Sequence, residues 1–370
     1  MTGVALIGCG FVADLYMRSL KTYPAIAVVG AHDRDPARLA RFCAHWGLRA
    51  FDDLPTLLAA LPEGGLALNL TNPASHAAVT RACLEAGHHV WSEKPMALSL
   101  AEARGLVDLA RARGLTLASA PSSVLSEAAQ ALGRALRGGS AGAPRLIYAE
   151  LDDGFLAQAP VEAWVSESGA PWPWADELAT GCALEHAGYW LAWLIAHLGP
   201  VREVVTATAG VVPGTKGMSE AAPDLSVAVL RFASGPVARL TCSIVAPHDH
   251  SLRVVCDGGV IEVPRAWDNG APVRVRRRVR IRRRLLELPF GRRVRLKGPT
   301  HPRVGRTGAA SMNFALGPAE VLDAVAAGRE SRLGGDFALH LTEATLAVAT
   351  QGSHVLETTC APMEPMPWAL

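Results

Sequence analysis

The sequence predicts an α/β chain: a doubly wound parallel sheet through about residue 120, followed by an α+β domain with an antiparallel sheet. Three observations carry this. Short apolar runs alternate with helical patterns up to residue 120. A glycine-rich turn separates the first run from the first helix. After residue 200, five strand-like runs follow one another with short turns, which suits a packed antiparallel sheet.

In order, Val4-Ala5-Leu6-Ile7 reads as a buried strand, Gly8-Cys9-Gly10-Phe11-Val12-Ala13 as its turn, and a helix runs on through Leu20. This G-x-G-x-x-A pattern allows a tight turn and brings backbone close to a pyrophosphate at a helix N-terminus. A second strand over residues 25–31 leads into Asp33, about 20 residues past the turn, where a carboxylate can bind adenosine ribose hydroxyls. Asp33 favours NAD because it repels a 2′-phosphate, whereas the neighbouring Arg34 can stack on adenine or accept that phosphate. Asp35 caps a helix that Pro36 opens and Gly47 ends. Residues 66–70 form a buried strand that ends in Thr71-Asn72-Pro73, and Ser75 caps a helix to Ala86.

His89-Val90-Trp91 is the next short strand, leading into Ser92-Glu93-Lys94-Pro95. Pro95 stops the ladder, so Lys94 stands at a carboxyl strand end, where open α/β sheets bind ligands. A capping box, Ser99-x-x-Glu102, opens a helix to Arg113. A last strand, residues 115–120, ends near Pro121, so the division falls at residues 1–121 and 122–370.

The 370 residues are 50% hydrophobic and 19% charged, which fits a globular enzyme rather than a disordered chain. No apolar run approaches the roughly 20 residues of a membrane helix, and the N-terminus lacks a secretory signal pattern. The cytoplasm is the expectation. Seven scattered cysteines without a C-x-x-C pair read as reduced core residues.

Taken together, Gly8-x-Gly10-x-x-Ala13, Thr71-Asn72-Pro73 with His76 three residues on, and Glu93-Lys94-Pro95 resemble the Gfo/Idh/MocA oxidoreductases, the group of glucose-fructose oxidoreductase and inositol dehydrogenase. The resemblance implies an N-terminal Rossmann domain and a C-terminal α+β domain with a large, mostly antiparallel sheet that often mediates homo-oligomers, dimers or tetramers. It also implies that Thr71, Asn72, Pro73, His76, Glu93 and Lys94 join Gly8, Gly10, Phe11, Val12, Ala13, Asp33 and Arg34 around NAD, with NADP the alternative.

Residues 181–198 carry a helical pattern with Leu184, Ala187, Leu191, Leu194, Ile195 and Leu198 on one side. Glu185, Tyr189, Ala192 and Ala196 form the opposite stripe, which reads either as room for a small ligand or as a solvent face. Many members of the family carry an Asp-x-x-x-His pair here, with histidine as acid or base. Glu185-x-x-x-Tyr189 departs from that pattern and is similar to the tyrosine of glucose-fructose oxidoreductase and some sugar ketoreductases. The implied catalytic set is Lys94, Tyr189 and Glu185. Lys94 stabilises the reacting oxygen, Tyr189 donates to a developing alkoxide, and Glu185 binds a neighbouring hydroxyl or orients the lysine. His186 reads as a packing residue.

A long loop rich in Trp, Pro and Gly spans residues 164–174, either a binding element or its own small core. His248-Asp249-His250 suggests metal ligands, but no third is near in sequence; a turn is the reading, and no metal is expected. Residues 274–297 hold eleven arginines and one lysine against Glu287, which leaves the remaining chain at −9 from a formal total of +2. The alternation of Val273, Val275, Val279 and Ile281 with arginine fits a two-faced strand. A solvated, oligomer-facing arm is the first reading of this run. A clamp for a nucleotide sugar comes next, ahead of a patch for anionic lipid; nucleic acid ranks last.

The chain ends in helices over residues 313–328 and 336–351, with His340 and Glu343 placed near the cleft, and a proline-rich surface segment, residues 362–368. The expected activity is NAD(P)-dependent oxidation or reduction of a small-molecule carbohydrate, nucleotide sugar or cyclitol. An NAD-dependent glycosidase on the same scaffold and a non-catalytic nucleotide-sensing protein are the alternatives.

Overall fold

The computed structural model describes residues 2–213, 217–218, 221–305 and 308–370. Its first sheet is built from β1 (Thr2–Ile7), β2 (Ile26–His32), β3 (Leu66–Asn69), β4 (His89–Ser92) and β5 (Leu117–Ser119), with α1 (Phe11–Leu20), α2 (Pro36–Trp46), α3 (Leu54–Ala60), α4 (Pro73–Glu85) and α5 (Leu100–Ala112) between them. The strands lie in the order β2-β1-β3-β4-β5, and all pairs are parallel. Strands β3 and β4 are buried at every position, which is why they read as unbroken apolar runs. The order reverses between β1 and β3, and ligands bind at the strand ends beside such a reversal.

Local chemistry sets the helix ends. The Asp35 carboxylate accepts from the Ala37 and Arg38 N–H groups, and Gly47 closes α2 at φ 68°. Ser99 accepts from the Glu102 N–H while also donating to the Glu102 carboxylate. Ser75 is not a cap: α4 starts at Pro73, with Asn72 in the capping position, because proline already holds the φ of a first helical residue. Helix α3 is too short for a clear periodicity, but its signals are Asp53, which accepts from Thr56 N–H, and Pro55.

A 3₁₀ turn, Ser122–Leu125, leads to α6 (Glu127–Arg137), β6 (Pro144–Asp152), α7 (Trp174–Thr180), α8 (Cys182–Leu198), β7 (Val201–Ala209), β8 (Leu225–Phe232), β9 (Val237–Ser243), β10 (Leu252–Cys256), β11 (Gly259–Val263), β12 (Arg274–Ile281), β13 (Arg284–Glu287) and β14 (Arg292–Arg293). Helices α9 (Leu316–Ala326) and α10 (Gly335–Ala349) and strand β15 (Gly352–Val355) follow. These strands form one sheet in the order β13-β12-β11-β10-β6-β9-β8-β7-β15, with β14 also on β12. Within this sheet only β6 and β9 pair in parallel among the described residues. The sheet is therefore large and mostly antiparallel.

Helix α8 is buried almost all round. Ala192 and Ala196 are fully covered along with Leu191 and Leu194, so the stripe carrying Glu185 and Tyr189 is not a solvent face. Trp190 and Trp193 pack perpendicular to each other, and their indoles donate to the Glu150 carbonyl and the Ser123 hydroxyl.

The end of the chain returns to the parallel sheet. A Cβ on Gly317 of α9 would stand 2.0 Å from the Trp91 ring, so only glycine lets that helix lie against β4. Ala338 and Leu339 of α10 share a core with Val90 and Leu117. His340 and Glu343 lie away from the cleft. The His340 ring accepts from Val201 N–H, and Glu343 is held by Thr358 and the Glu357 N–H; both serve to pin the C-terminal strand and tail.

Candidate active site

A cleft of about 1320 Å³ opens at the carboxyl ends of β1, β3 and β4 and extends to the N-terminal end of α8. Gly8 has φ 96°, and a Cβ there would meet the Leu70 carbonyl at 2.7 Å. Glycine is demanded by backbone conformation and by the β3 strand end together. Gly10 caps α1 without a side chain, and a Cβ on it would meet nothing within 4 Å. The free N–H groups of the helix therefore face open space suited to a phosphate. Phe11, Val12, Thr71, Asn72, Pro73 and His76 line the cleft. Ala13 does not: it is fully buried beneath the turn, where the third small residue of the motif brings helix and strand together.

Asp33 and Arg34 also line the cleft. Asp33 is more engaged than its spacing revealed. Oδ2 accepts from Cys9 N–H at 2.7 Å and Arg38 Nε at 2.9 Å; Oδ1 accepts from Asp35 N–H and Arg38 Nη2, both at 2.8 Å. Burial opposes the charge, but the guanidinium and the N–H donors outweigh it and hold the carboxyl below its ordinary range. Arg38, in the first turn of α2, thus neutralises Asp33 at the cleft rim.

The Lys94 end of the cleft is braced from behind. The Trp91 indole donates to the Tyr16 hydroxyl at 2.7 Å, which donates to Glu93 Oε1 at 2.6 Å. Glu93 Oε2 accepts from the Lys94 N–H at 3.1 Å. His76 presents its two ring nitrogens to the carbonyls of Pro95 at 2.6 Å and Thr71 at 2.9 Å, tying together the ends of β3 and β4. Burial pulls its pKa below the ordinary imidazole value against those two bonds.

From this support Lys94 reaches across to Glu185, in the first turn of α8, and forms an ion pair with it. Burial disfavours the ammonium, but Glu185 and Glu177 more than compensate and raise its pKa. Glu177, on α7, is hydrogen-bonded to Glu185, and burial with that neighbouring carboxylate pushes its own carboxyl well above the usual range. Tyr189 lines the same cleft. Burial raises its phenol; the field of Lys94 works the other way without cancelling it. A neutral phenol and a charged ammonium, side by side, can donate to an oxygen that is gaining negative charge.

The Trp-rich loop closes one wall. Asp14 of α1 accepts from the Ser168 N–H at 3.1 Å and its hydroxyl at 2.8 Å, and Arg18 pairs with Glu167 at 3.0 Å. Trp164 and Trp172 contact each other at 5.2 Å and both line the cleft, so the loop has a small core of its own and is also a wall.

Sequence reasoning missed Glu177, Arg38, Asp153 and Trp267. An acidic residue just past the Trp-rich loop and an arginine five residues past Asp33 were the available signals; Asp153 and Trp267, whose ring stands 5.5 Å from that of Tyr189 in the cleft, are recognised only once β6 and the segment after β11 meet. The chain does bring a third potential ligand to His248 and His250, namely Asp153. His186 faces Asp153 at 3.4 Å, and burial beside Lys94 lowers its pKa to about 3. No residue of the run 274–297 lines the cleft. That run forms the β12–β13 hairpin at the sheet edge, where Arg276 pairs with Glu262 and Glu287, so it is not a clamp for a nucleotide sugar in this cavity.

Residues 2–120 match the family model described as an oxidoreductase family with an NAD-binding Rossmann fold, and residues 129–262 match the GFO/IDH/MocA C-terminal domain. D-apiose dehydrogenase of Paraburkholderia graminis is 32% identical over 158 residues, 42% of each chain. UDP-N-acetylglucosamine 3-dehydrogenase of Acidithiobacillus ferrooxidans is 34% identical over 151 residues, 40% of this chain and 44% of the relative. Each match spans less than half the length of these curated relatives. A 3-ketoreductase from Actinomadura kijaniata, solved in complex with TDP-benzene and NADP, shares the fold with a TM-score of 0.71, at 20% identity over 94% of this chain and 97% of that one. Both halves of the molecule thus carry the same assignment: the chain belongs to the Gfo/Idh/MocA oxidoreductase family.

Proposed function

We propose that the chain transfers a hydride between a nicotinamide dinucleotide and a CH–OH or ketone carbon of a sugar, nucleotide sugar or cyclitol. Residues 1–121 hold the cofactor and residues 122–370 hold the substrate. What carries the reading is the convergence of Lys94, paired with Glu185, and Tyr189 on the cavity that begins at Gly8 and Gly10. The cofactor supplies the hydride chemistry. Lys94 hydrogen-bonds the reacting oxygen, Tyr189 moves its proton, and Glu185 keeps the ammonium charged and aimed. A phenol raised above its ordinary value is a poor base at neutral pH and a well-matched donor to an alkoxide, which favours ketone reduction. The sugar and nucleotide-sugar enzymes among its relatives support this substrate class.

NAD and NADP both fit. The Arg38 pairing removes the repulsion that Asp33 alone exerts on a 2′-phosphate, and the exposed Arg34 stands at the same rim. A homo-oligomer, dimer or tetramer, is supported by the outer face of the large sheet, where the cross-strand pair Val205 and Val229 is exposed. Seven buried, unpaired cysteines suit the reducing cytoplasm, and no helix among the described residues is long and apolar enough to cross a membrane.

The test is a screen of nucleotide sugars and free polyols, each with NAD and NADP in both redox states, read by nicotinamide absorbance. With the substrate in hand, Lys94→Met lowers turnover by at least about a hundredfold while cofactor affinity changes little. Undiminished turnover in that variant removes the mechanism.

A further inference from the structure

The far wall of the cleft carries chemistry that hydride transfer does not use. Asp152 at the end of β6 pairs antiparallel with Asp249, each N–H meeting the other's carbonyl at 3.0 and 3.2 Å. Side chains alternate across a strand, so His248, His250 and Asp153, each one residue removed from that bridge, share one face. The separation from Asp153 Oδ1 is 3.4 Å to His248 Nδ1 and 3.8 Å to His250 Nε2. All three donor atoms lie within 4.8 Å of one another. Ligands about 2.0–2.1 Å from a tetrahedral ion stand about 3.3–3.4 Å apart, so the two histidine–Asp153 separations are already within a few tenths of an ångström of that spacing, and the two histidine nitrogens need only close in from at most 4.8 Å.

Three further features point to a missing partner. The His250 side chain is 10% exposed, and its Nε2 has no hydrogen-bond partner among the described residues. The Asp152 backbone acts on the same ring. Gly154, at φ 76°, keeps the backbone clear of the His248 ring, which a Cβ would approach to 3.1 Å. Finally, His186 Nε2 faces Asp153 Oδ2 and can orient the carboxylate while Oδ1 stays free for an ion.

We propose that Asp153, His248 and His250 hold one divalent first-row transition-metal ion in the wall of the cleft, with its remaining coordination position open to substrate oxygen. Two imidazole nitrogens and one carboxylate oxygen suit zinc and its neighbours and are poorly suited to magnesium or calcium, which take oxygen ligands. Three protein ligands leave a place for a water or a substrate hydroxyl, carbonyl or carboxylate. The three residues border the same cavity as Lys94 and Tyr189, so the ion's service to a substrate rests on the hydride-transfer reading, while its binding does not.

The experiment uses the full chain, stripped with a chelator and titrated with zinc or cobalt alone. Expected are one equivalent bound per chain, a ligand-field absorption band with cobalt, and affinity at least about a hundredfold weaker in His250→Ala and Asp153→Asn, beyond the loss of an outer-shell partner. His248→Ala, at a position whose side chain is 67% exposed, keeps the fold and must weaken binding too. Circular dichroism and NADH binding report folding in every variant. No uptake by the parent chain, or uptake unchanged in these variants, overturns the site. Neither result depends on turnover, so loss of the metal proposal and loss of the hydride proposal are separable.

Discussion

Lys94 and Glu185, 91 residues apart in sequence, meet as an ion pair across the cleft between the two sheets. One comes from the end of a parallel strand, the other from the first turn of a helix on the antiparallel sheet. The Lys94 ammonium is therefore held charged by an element of the other sheet.

Replacing Glu185 by Gln removes the principal counter-charge while burial remains. Glu177, Glu93 and Tyr189 are the other groups acting on this ammonium. Its pKa must fall, and the alkaline limb of the kcat/KM profile moves to lower pH by at least about one unit. A pH–rate series on the parent and Glu185→Gln checks this; an unmoved limb means that Glu185 does not set the charge of Lys94.

Tyr189→Phe removes the phenol proposed to donate the proton but leaves Lys94 in place. Turnover falls by about 10²–10⁴-fold, with cofactor affinity preserved. A loss confined to KM, measured in steady-state kinetics, makes Tyr189 a binding contact instead.

Arg38→Ala breaks the bidentate pair with Asp33. NADPH affinity drops by about tenfold or more, whereas NADH is spared, because Asp33 is released to accept ribose hydroxyls. Fluorescence titration with both cofactors decides it: equal losses mean that Arg38 is only a brace for the β2 turn.

Alkaline pH destabilises the fold through its thiols. Cys83, Cys182 and Cys242 are each 1% exposed or less, and burial raises all three above the ordinary thiol value of 9.0. Their protonated forms are favoured when folded, so this contribution is complete below pH 9 and is lost as the unfolded thiols ionise above it. At pH 10 the loss is about 1.4 kcal/mol per thiol, about 4 kcal/mol for three. Urea midpoints measured at pH 7.5 and pH 10 check the sign and size.

The first sheet was legible in the sequence because β3, β4 and β5 are buried at every position and its helices end in Asp35, Gly47 and Ser99, which act locally. The motifs at Gly8, Thr71 and Lys94 followed from that order. What the sequence withheld depends on distant pairs. Arg38 looked like an ordinary helical residue until it met Asp33, and Asp153 has no spacing relationship to His248. Glu177 gains its role only by lying against Glu185. Conversely, Glu343 and His340 kept the right helix but the wrong neighbourhood, since helical periodicity says nothing about which end of a helix points at a cleft.

The β12–β13 hairpin has a consequence for the molecule as a colloid. A formal total of +2 is the residue of a strongly basic edge set against an acidic remainder, so the average describes neither part of the surface. Such a body is a large electric dipole. The field of that edge reaches furthest in dilute buffer, and salt at physiological strength cuts it to a Debye length of about 8 Å.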